Sequence, residues 1–372
     1  MNILELCLSP GLGGLELYVA RCAEALSGKH RVIGVTSTDT PLIPYLERVG
    51  TALHHLPASR VRAAPLFNAR RLAALIDREQ VDVVHMHWGK DLPLAALAKR
   101  LSRRRPALVY TRQMQVTRPK DDFYHNVLYG QMDVMVTISE RLAADARRFL
   151  GPYHTQKVRT LYYGVPEPKQ ALSREARRTL RDEWGVPDGA FLVGLFARIE
   201  SFKGQHLLLE AVERAVSDDI PLYALIVGQA MDGDYLASLK ARAESGGYGD
   251  RVVICDFVDD PQRWMQACDA VALTTYEETF GLVLPEAMRA GVAVVGSNAG
   301  GVPEIIDDDE TGLLFQPGDA QDLYAQLSRL ALHGDLRKRL AAAGKAKADS
   351  EFNPGDHFSR LEAILQGASG AF

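Results

Sequence analysis

The chain has 372 residues, 47% hydrophobic and 24% charged, the balance of a water-soluble globular protein with more chain than one ordinary core needs. No run of eighteen apolar residues occurs, which excludes a membrane-spanning helix, and the start, MNILELCLSP, lacks the basic region of a signal peptide. The formal charge of −4 hides an asymmetry: residues 1–160 carry nine positive charges in excess and the remainder thirteen negative, so the first half is expected to face either the oppositely charged second half or an anionic partner.

Strand-like and helix-like runs then alternate. NILELCL reads as a strand, and GGLELYVARCAEALSG as a helix with apolar residues at Leu15, Val19, Cys22, Ala23 and Leu26. RVIGVTS, VDVVHMHW, ALVYTRQ and DVMVTIS are further strands, and APLFNARRLAALIDREQ, LPLAALAKRLSRR and ERLAADARRFLG are helices. Two prolines and a glycine in LYYGVPEPKQALS interrupt the pattern and mark a boundary. It restarts with strands FLVGLFARI, YALIVGQ, RVVICDFV, AVALTT and VAVVGSN, separated by helices, and closes with a helix from about Asp319 and a terminal helix HFSRLEAILQGAS. This β-α-β-α order implies parallel sheets covered on both faces. The expectation is α/β, with two doubly wound, Rossmann-like domains facing each other across a cleft: 1–166, 167–350, and a closing segment 351–372. Cys7, Cys22, Cys255 and Cys268 form no CxxC pair and no zinc-finger spacing, so they read as reduced, mostly buried thiols of a cytosolic protein.

Ligands of such sheets sit beyond the carboxyl ends of the strands, and the candidate residues cluster there. SPGLGGLE after the first strand is not a dinucleotide fingerprint, because Glu16 stands where a third glycine belongs. Gly13 and Gly14 can nevertheless take positive φ and let a ligand approach the backbone closely, and the helix that follows offers free N–H groups to an anion. In DVVHMHWGK, alternation places His85 and His87 on one face. His85 reads as a hydrogen-bonded core residue, and His87, nearer the strand's carboxyl end, as a site residue. Two histidines alone make a weak zinc signal without a third ligand. Arg198 and Lys203 flank the start of a helix, where the dipole disfavours cations, so a dianionic group such as a diphosphate is expected between them. In TTYEETFGLVLPEAMRAG, Glu278 lies on a loop and Glu286 follows Pro285 in the first turn of a helix. With the amides of Phe280, Gly281 and Leu282, the two carboxylates suit a polyhydroxylated ligand.

These motifs resemble family 4 retaining glycosyltransferases. The run from Glu278 to Glu286 matches their E-x7-E signature, ARIESFKG resembles their GRL…KG element, and GVAVVGSNAGGVPEIIDDDETGLLFQPGD is similar to their GGVPE…GLL…PGD block. GLGGLE resembles their N-terminal glycine loop and DVVHMH their D-VH-H. The resemblance implies a GT-B fold: an N-terminal acceptor-binding domain, a C-terminal domain that holds the nucleotide-sugar donor, and a terminal helix returning to the first domain. By the same analogy Arg198 and Lys203 hold the diphosphate, Glu286 the ribose and Glu278 the transferred sugar. Phe257 and Val258 meet the base, Gly14 faces the phosphates, and His87 sits at the reacting face. The sequence departs from the family pattern at Thr111, Arg112 and Gln113, at Tyr163, and at Thr274 and Thr275.

The implied activity is metal-independent, retaining transfer of a hexose in lipopolysaccharide or cell-surface polysaccharide assembly, with no resident cofactor. The implied acceptor is a glycan or lipid-linked molecule, with no nucleic acid. The basic stretches AKRLSRRR and SRVRAAPLFNARR suit contact with the inner face of the cell membrane. Two other readings stay open: a GT-B partner subunit that binds without turnover, and a GT-B phosphorylase or epimerase.

Overall fold

The near-continuous Val, Ile and Leu runs become strands because both faces of each sheet are covered. In NILELC, every residue from Ile3 to Cys7 is buried. The computed structural model describes residues 1–57, 65–150 and 154–370. Among them the chain divides into two compact units, Met1–Tyr162 with Gly355–Phe372, and Tyr163–Pro354. The first crossing thus falls four residues before the expected boundary at 166, and the return falls four residues after 350.

The first unit carries β1 (Asn2–Cys7), β2 (Arg31–Ser37), β3 (Ala52–Leu56), β4 (Val83–Met86), β5 (Ala107–Arg112), β6 (Val134–Thr137) and β7 (Val158–Thr160). They form one parallel sheet in the order β3-β2-β1-β4-β5-β6-β7. Leu4, Leu6, Ile33, Val35, Val84 and Met86 form its core with the helix Leu66–Arg78 and the helix Leu92–Leu101.

The helix Pro354–Ser369 completes this unit. His357 Nδ1 donates to the Tyr162 carbonyl at 2.6 Å, and its Nε2 lies 2.9 Å from the Tyr18 hydroxyl. Glu362 pairs with Lys29 at 2.8 Å and with His30 at 3.0 Å.

The second unit carries β8 (Phe191–Phe196), β9 (Leu222–Val227), β10 (Val252–Cys255), β11 (Ala270–Leu273), β12 (Ala293–Ser297) and β13 (Leu313–Phe315). All pair in parallel, in the order β10-β9-β8-β11-β12-β13. Two ion-paired groups hold its periphery. Asp269 receives Arg177 and Arg181, each at 2.9 Å, and the amide of Leu192 at 2.9 Å. Arg289 donates to the Val165 carbonyl at 2.7 Å and to Glu167 at 2.9 Å.

Candidate donor site

In the second sheet the chain winds outward from β8 to β9 and β10, then returns to β8's other side for β11, β12 and β13. The order reverses between β8 and β11, and that switch point leaves a crevice at the strands' carboxyl ends. Four expected residues lie on the segments leaving these strands: Arg198 and Lys203 after β8, Glu278 and Glu286 after β11.

Glycines set the path of both exits. A Cβ on Gly228 would stand 1.8 Å from the Ala197 carbonyl oxygen, so glycine is what lets the exit of β9 pack onto the exit of β8. The Arg198 carbonyl accepts from the buried Gln205 side chain at 2.8 Å. Its guanidinium is 60% exposed and lies 2.9 Å from Glu200. Gly204 takes φ +71°, and a Cβ there would meet the Thr274 carbonyl oxygen at 2.4 Å. The Thr274 hydroxyl donates to the Lys203 carbonyl at 2.7 Å. Lys203 is thereby fixed against the β11 exit, and its Nζ reaches Glu278 Oε2 at 2.7 Å. The pair is only 17% and 21% exposed at the side chains. Glu278 offsets the cost of placing a cation at the start of the helix Gln205–Ser217.

The Gly-Gly turn after β12 holds the glutamate loop in place. Gly301 donates its amide to the Glu278 carbonyl at 2.8 Å. Gly300 has φ +62°, and a Cβ on it would lie 2.0 Å from that same oxygen. The Ser297 hydroxyl supports the loop from β12 by donating to the Thr275 carbonyl at 2.6 Å. Phe280 is buried edge-on against Tyr163 and Phe352, at 5.5 and 5.8 Å between ring centroids. No acceptor among the described residues takes the amide of Gly281 or of Leu282. Glu286 lies in the first turn of the helix Val283–Arg289, half-buried, with its amide bonded to the Leu282 carbonyl at 3.1 Å.

Phe257 and Val258 follow β10, two strands and so ~10 Å from β8. Phe257 is 67% exposed and Val258 half-buried. An exposed aromatic ring at that spacing suits a flat heterocycle.

The first unit departs from expectation at two places. Gly13 is extended, at φ −166°, and Gly14 begins the helix Gly14–Ser27; neither takes positive φ. Both are exposed, and a Cβ on Gly14 would meet nothing within 4 Å. The fold itself therefore does not demand glycine at 14.

His87 is fully buried, not a ring presented to a substrate. Its Nε2 donates to Glu5 Oε2 at 2.6 Å, and His85 meets Glu5 at 3.1 Å and the Thr111 hydroxyl at 2.7 Å. The physical reason lies in register: Glu5 on β1 stands directly beside His85 on β4. Burial alone would raise the Glu5 carboxyl, but His85 and His87 outweigh it and bring it down to about 2. Burial lowers the His87 ring to about 4. Sequence reading missed Glu5, although a lone acid inside the apolar run NILELCL is a visible signal.

Thr111 serves this network, while Arg112 is buried and donates to the Tyr110 hydroxyl at 3.3 Å and the Gln115 carbonyl at 2.8 Å. Of the basic stretches, Arg60 and Arg62 lie outside the described residues. Arg70 and Arg71 are exposed beside Leu66 and Phe67, and Arg103, Arg104 and Arg105 are exposed.

A fold of two Rossmann-like parallel-sheet domains, with paired cations and carboxylates at a switch point, defines a GT-B sugar transferase. Comparison with known proteins agrees. The Glycosyltransferase Family 4 pattern matches residues 12–167 and the Glycosyl transferases group 1 pattern residues 176–347. The chain belongs to the family 4 glycosyltransferases and has the GT-B fold. It is 24% identical over 302 residues to N-acetyl-alpha-D-glucosaminyl L-malate synthase of Bacillus anthracis, covering 80% of this chain and 77% of that one. It is 28% identical over 301 residues to the lipopolysaccharide core biosynthesis mannosyltransferase LpcC of Rhizobium leguminosarum bv. viciae, covering 79% and 82%. Anabaena HepE, solved in complex with UDP-glucose, superposes with a TM-score of 0.83 at 25% identity, over 99% of this chain and 100% of that one.

Proposed function

We propose that this glycosyltransferase moves a hexose, with retention at the anomeric carbon, from a nucleoside-diphosphate sugar to a glycan or lipid-linked acceptor in lipopolysaccharide or surface polysaccharide assembly. The Lys203–Glu278 ion pair at the β8–β11 switch point carries this reading. A diphosphate entering between Arg198 and Lys203 competes with Glu278 for the ammonium. As Lys203 turns to the phosphates, the Glu278 carboxylate is released to accept hydrogen bonds from sugar hydroxyls. Donor binding and sugar capture are then one exchange of partners. Glu286 takes the ribose hydroxyls, the amides of Gly281 and Leu282 face the donor's oxygens together with that of Phe280, and Phe257 with Val258 covers the base.

Charge that develops on the leaving diphosphate is met by two side-chain cations, so the chemistry needs no divalent ion there. One such cation in a water-excluded site is worth about 3 kcal/mol of barrier, on the order of a hundredfold in rate. The leaving phosphate, and not His87, takes the acceptor's proton.

The likeness to a lipopolysaccharide mannosyltransferase supports the pathway, and the UDP-glucose complex of HepE supports the donor class. No described helix is long and apolar enough to cross a membrane. The exposed Leu66, Phe67, Arg70 and Arg71 instead suit the anionic inner face of the cell membrane. Incubation with a panel of labelled sugar nucleotides and isolated lipopolysaccharide acceptors tests the proposal. Transfer of one hexose with retained anomeric configuration, without stimulation by Mg²⁺ or Mn²⁺, is expected. Donor binding with neither transfer nor slow hydrolysis would instead identify a partner subunit, and consumption of inorganic phosphate a phosphorylase.

A further inference from the structure

The interior of the first unit holds a second group of chemistry-bearing side chains that the donor site does not use. Cys22 comes from the helix Gly14–Ser27, and His85 and His87 lie at the end of β4. All three are 0% exposed, and each offers a ligand atom within 4.8 Å of the other two. We propose that Cys22, His85 and His87 bind a zinc-type metal ion, with Glu5 as the carboxylate that orients both imidazoles.

Three features of the geometry point the same way. One sulfur and two imidazole nitrogens form the borderline-soft donor set that zinc prefers over magnesium or calcium. Glu5 bonds to one ring nitrogen of each histidine, at 2.6 Å for His87 and 3.1 Å for His85. A carboxylate behind the ring is the usual arrangement for a metal-bound histidine, because it fixes the tautomer and turns the other nitrogen forward; His87 Nδ1 is free in this way, whereas His85 Nε2 must exchange its 2.7 Å bond to the Thr111 hydroxyl for the ion. The third feature is an orphan: His87 Nδ1 is buried and has no hydrogen-bond partner. An unsatisfied buried polar atom is destabilising, and a metal would satisfy it.

The tetrahedral spacing set by metal bonds of roughly 2.0–2.3 Å is shorter than the 4.8 Å limit, so the ligands close inward by rotamer adjustment. Binding breaks the Cys22 S–H bond, releases its proton to water and forms a sulfur–metal bond. The ion's two positive charges are then balanced by the thiolate and Glu5, which lets the assembly sit in the buried interior. The fourth position falls to a water. The ion's role is structural: it ties the first helix to the middle of the sheet.

The test is metal analysis of the full-length protein after gel filtration, with zinc supplied during expression, alongside Cys22→Ala and His87→Gln. About one equivalent of zinc per chain is expected, falling at least fivefold in both variants. Cobalt added during refolding of the wild type should give a thiolate-to-metal charge-transfer band that Cys22→Ala lacks. Circular dichroism identifies any variant that fails to fold, and the cobalt spectrum of the wild type then decides alone. Wild-type protein with no metal and no cobalt band would overturn the proposal, as would metal retained undiminished by folded Cys22→Ala.

Discussion

Lys203 Nζ lies 2.7 Å from Glu278 Oε2, so a cation leaving β8 and a carboxylate leaving β11 are joined directly. The two side chains are proposed to part when a diphosphate binds. Replacing Glu278 by Gln keeps the shape but removes the competing charge. Glu278→Gln is expected to bind a nucleoside diphosphate as tightly as wild type or several-fold tighter, while transfer falls about a hundredfold. Calorimetric titration beside a transfer assay reads both. Parallel losses of both would show that Glu278 supports the site without contacting the sugar.

Gly300 holds the loop that carries Glu278. A side chain there meets the Glu278 carbonyl oxygen at 2.0 Å and must adopt φ +62°. Gly300→Ala is expected to cost about 2 kcal/mol or more, which for a domain of this size lowers the melting temperature by roughly 4–8 °C. Transfer should fall as well. A variant that melts with wild type would mean that the loop relaxes freely and that the glycine has another purpose.

Asp269 gathers Arg177, Arg181 and the Leu192 amide near the start of β8. Burial alone would raise its carboxyl, but the hydrogen bonds from Leu192 and Arg181 outweigh that and bring it below the usual range. Asp269→Asn leaves two guanidinium groups without their anion and should destabilise the second unit by about 3 kcal/mol. Urea unfolding measures this, and a loss under 1 kcal/mol would contradict the account.

His357 supplies a pH dependence. Burial lowers its ring to about 4 from an ordinary 6.5, and the neutral ring donates to the Tyr162 carbonyl while accepting from Tyr18. The unfolded chain takes up this proton below pH 6.5 and the folded chain does not. Its contribution is therefore complete above pH 6.5 and is lost as pH falls toward 4, by about 3 kcal/mol. Phe358 packs against the ring, and Arg360 adds to the lowering. Melting curves from pH 7.5 to 4.5 should drop more steeply for wild type than for His357→Gln. Parallel curves would show that the ring is protonated in the folded state.

Sequence reading found the strands of both sheets wherever burial on both faces leaves a near-continuous Val, Ile and Leu run. It missed β3, where ALHHL interrupts the run with two histidines, and the three-residue strands β7 and β13. It also missed the helices Arg174–Glu183 and Gly334–Glu351, whose sequences REARRTLRDE and GDLRKRLAAAGKAKADSE show too few large apolar residues for a helical stripe. Arg198, Lys203, Glu278 and Glu286 stood out in the sequence because cations at a helix start and glutamates flanking an apolar loop are poor choices for folding alone, and the structure places all four on the segments leaving β8 and β11. His87 was misplaced because its fate is decided by Glu5, eighty-two residues away. Cys22 was likewise read as a bland thiol because only the folded chain brings it to the histidines. Pairings between strands that are distant in sequence leave no local pattern to read.

The most direct test of the donor site is the affinity of the free protein for a nucleoside diphosphate, measured by calorimetry for wild type, Arg198→Ala, Lys203→Ala and Glu286→Ala. The account predicts at least tenfold weaker binding in each folded variant, because each removes a group assigned to the diphosphate or the ribose. Unchanged affinity in folded Lys203→Ala and Glu286→Ala would place the nucleotide elsewhere and contradict it.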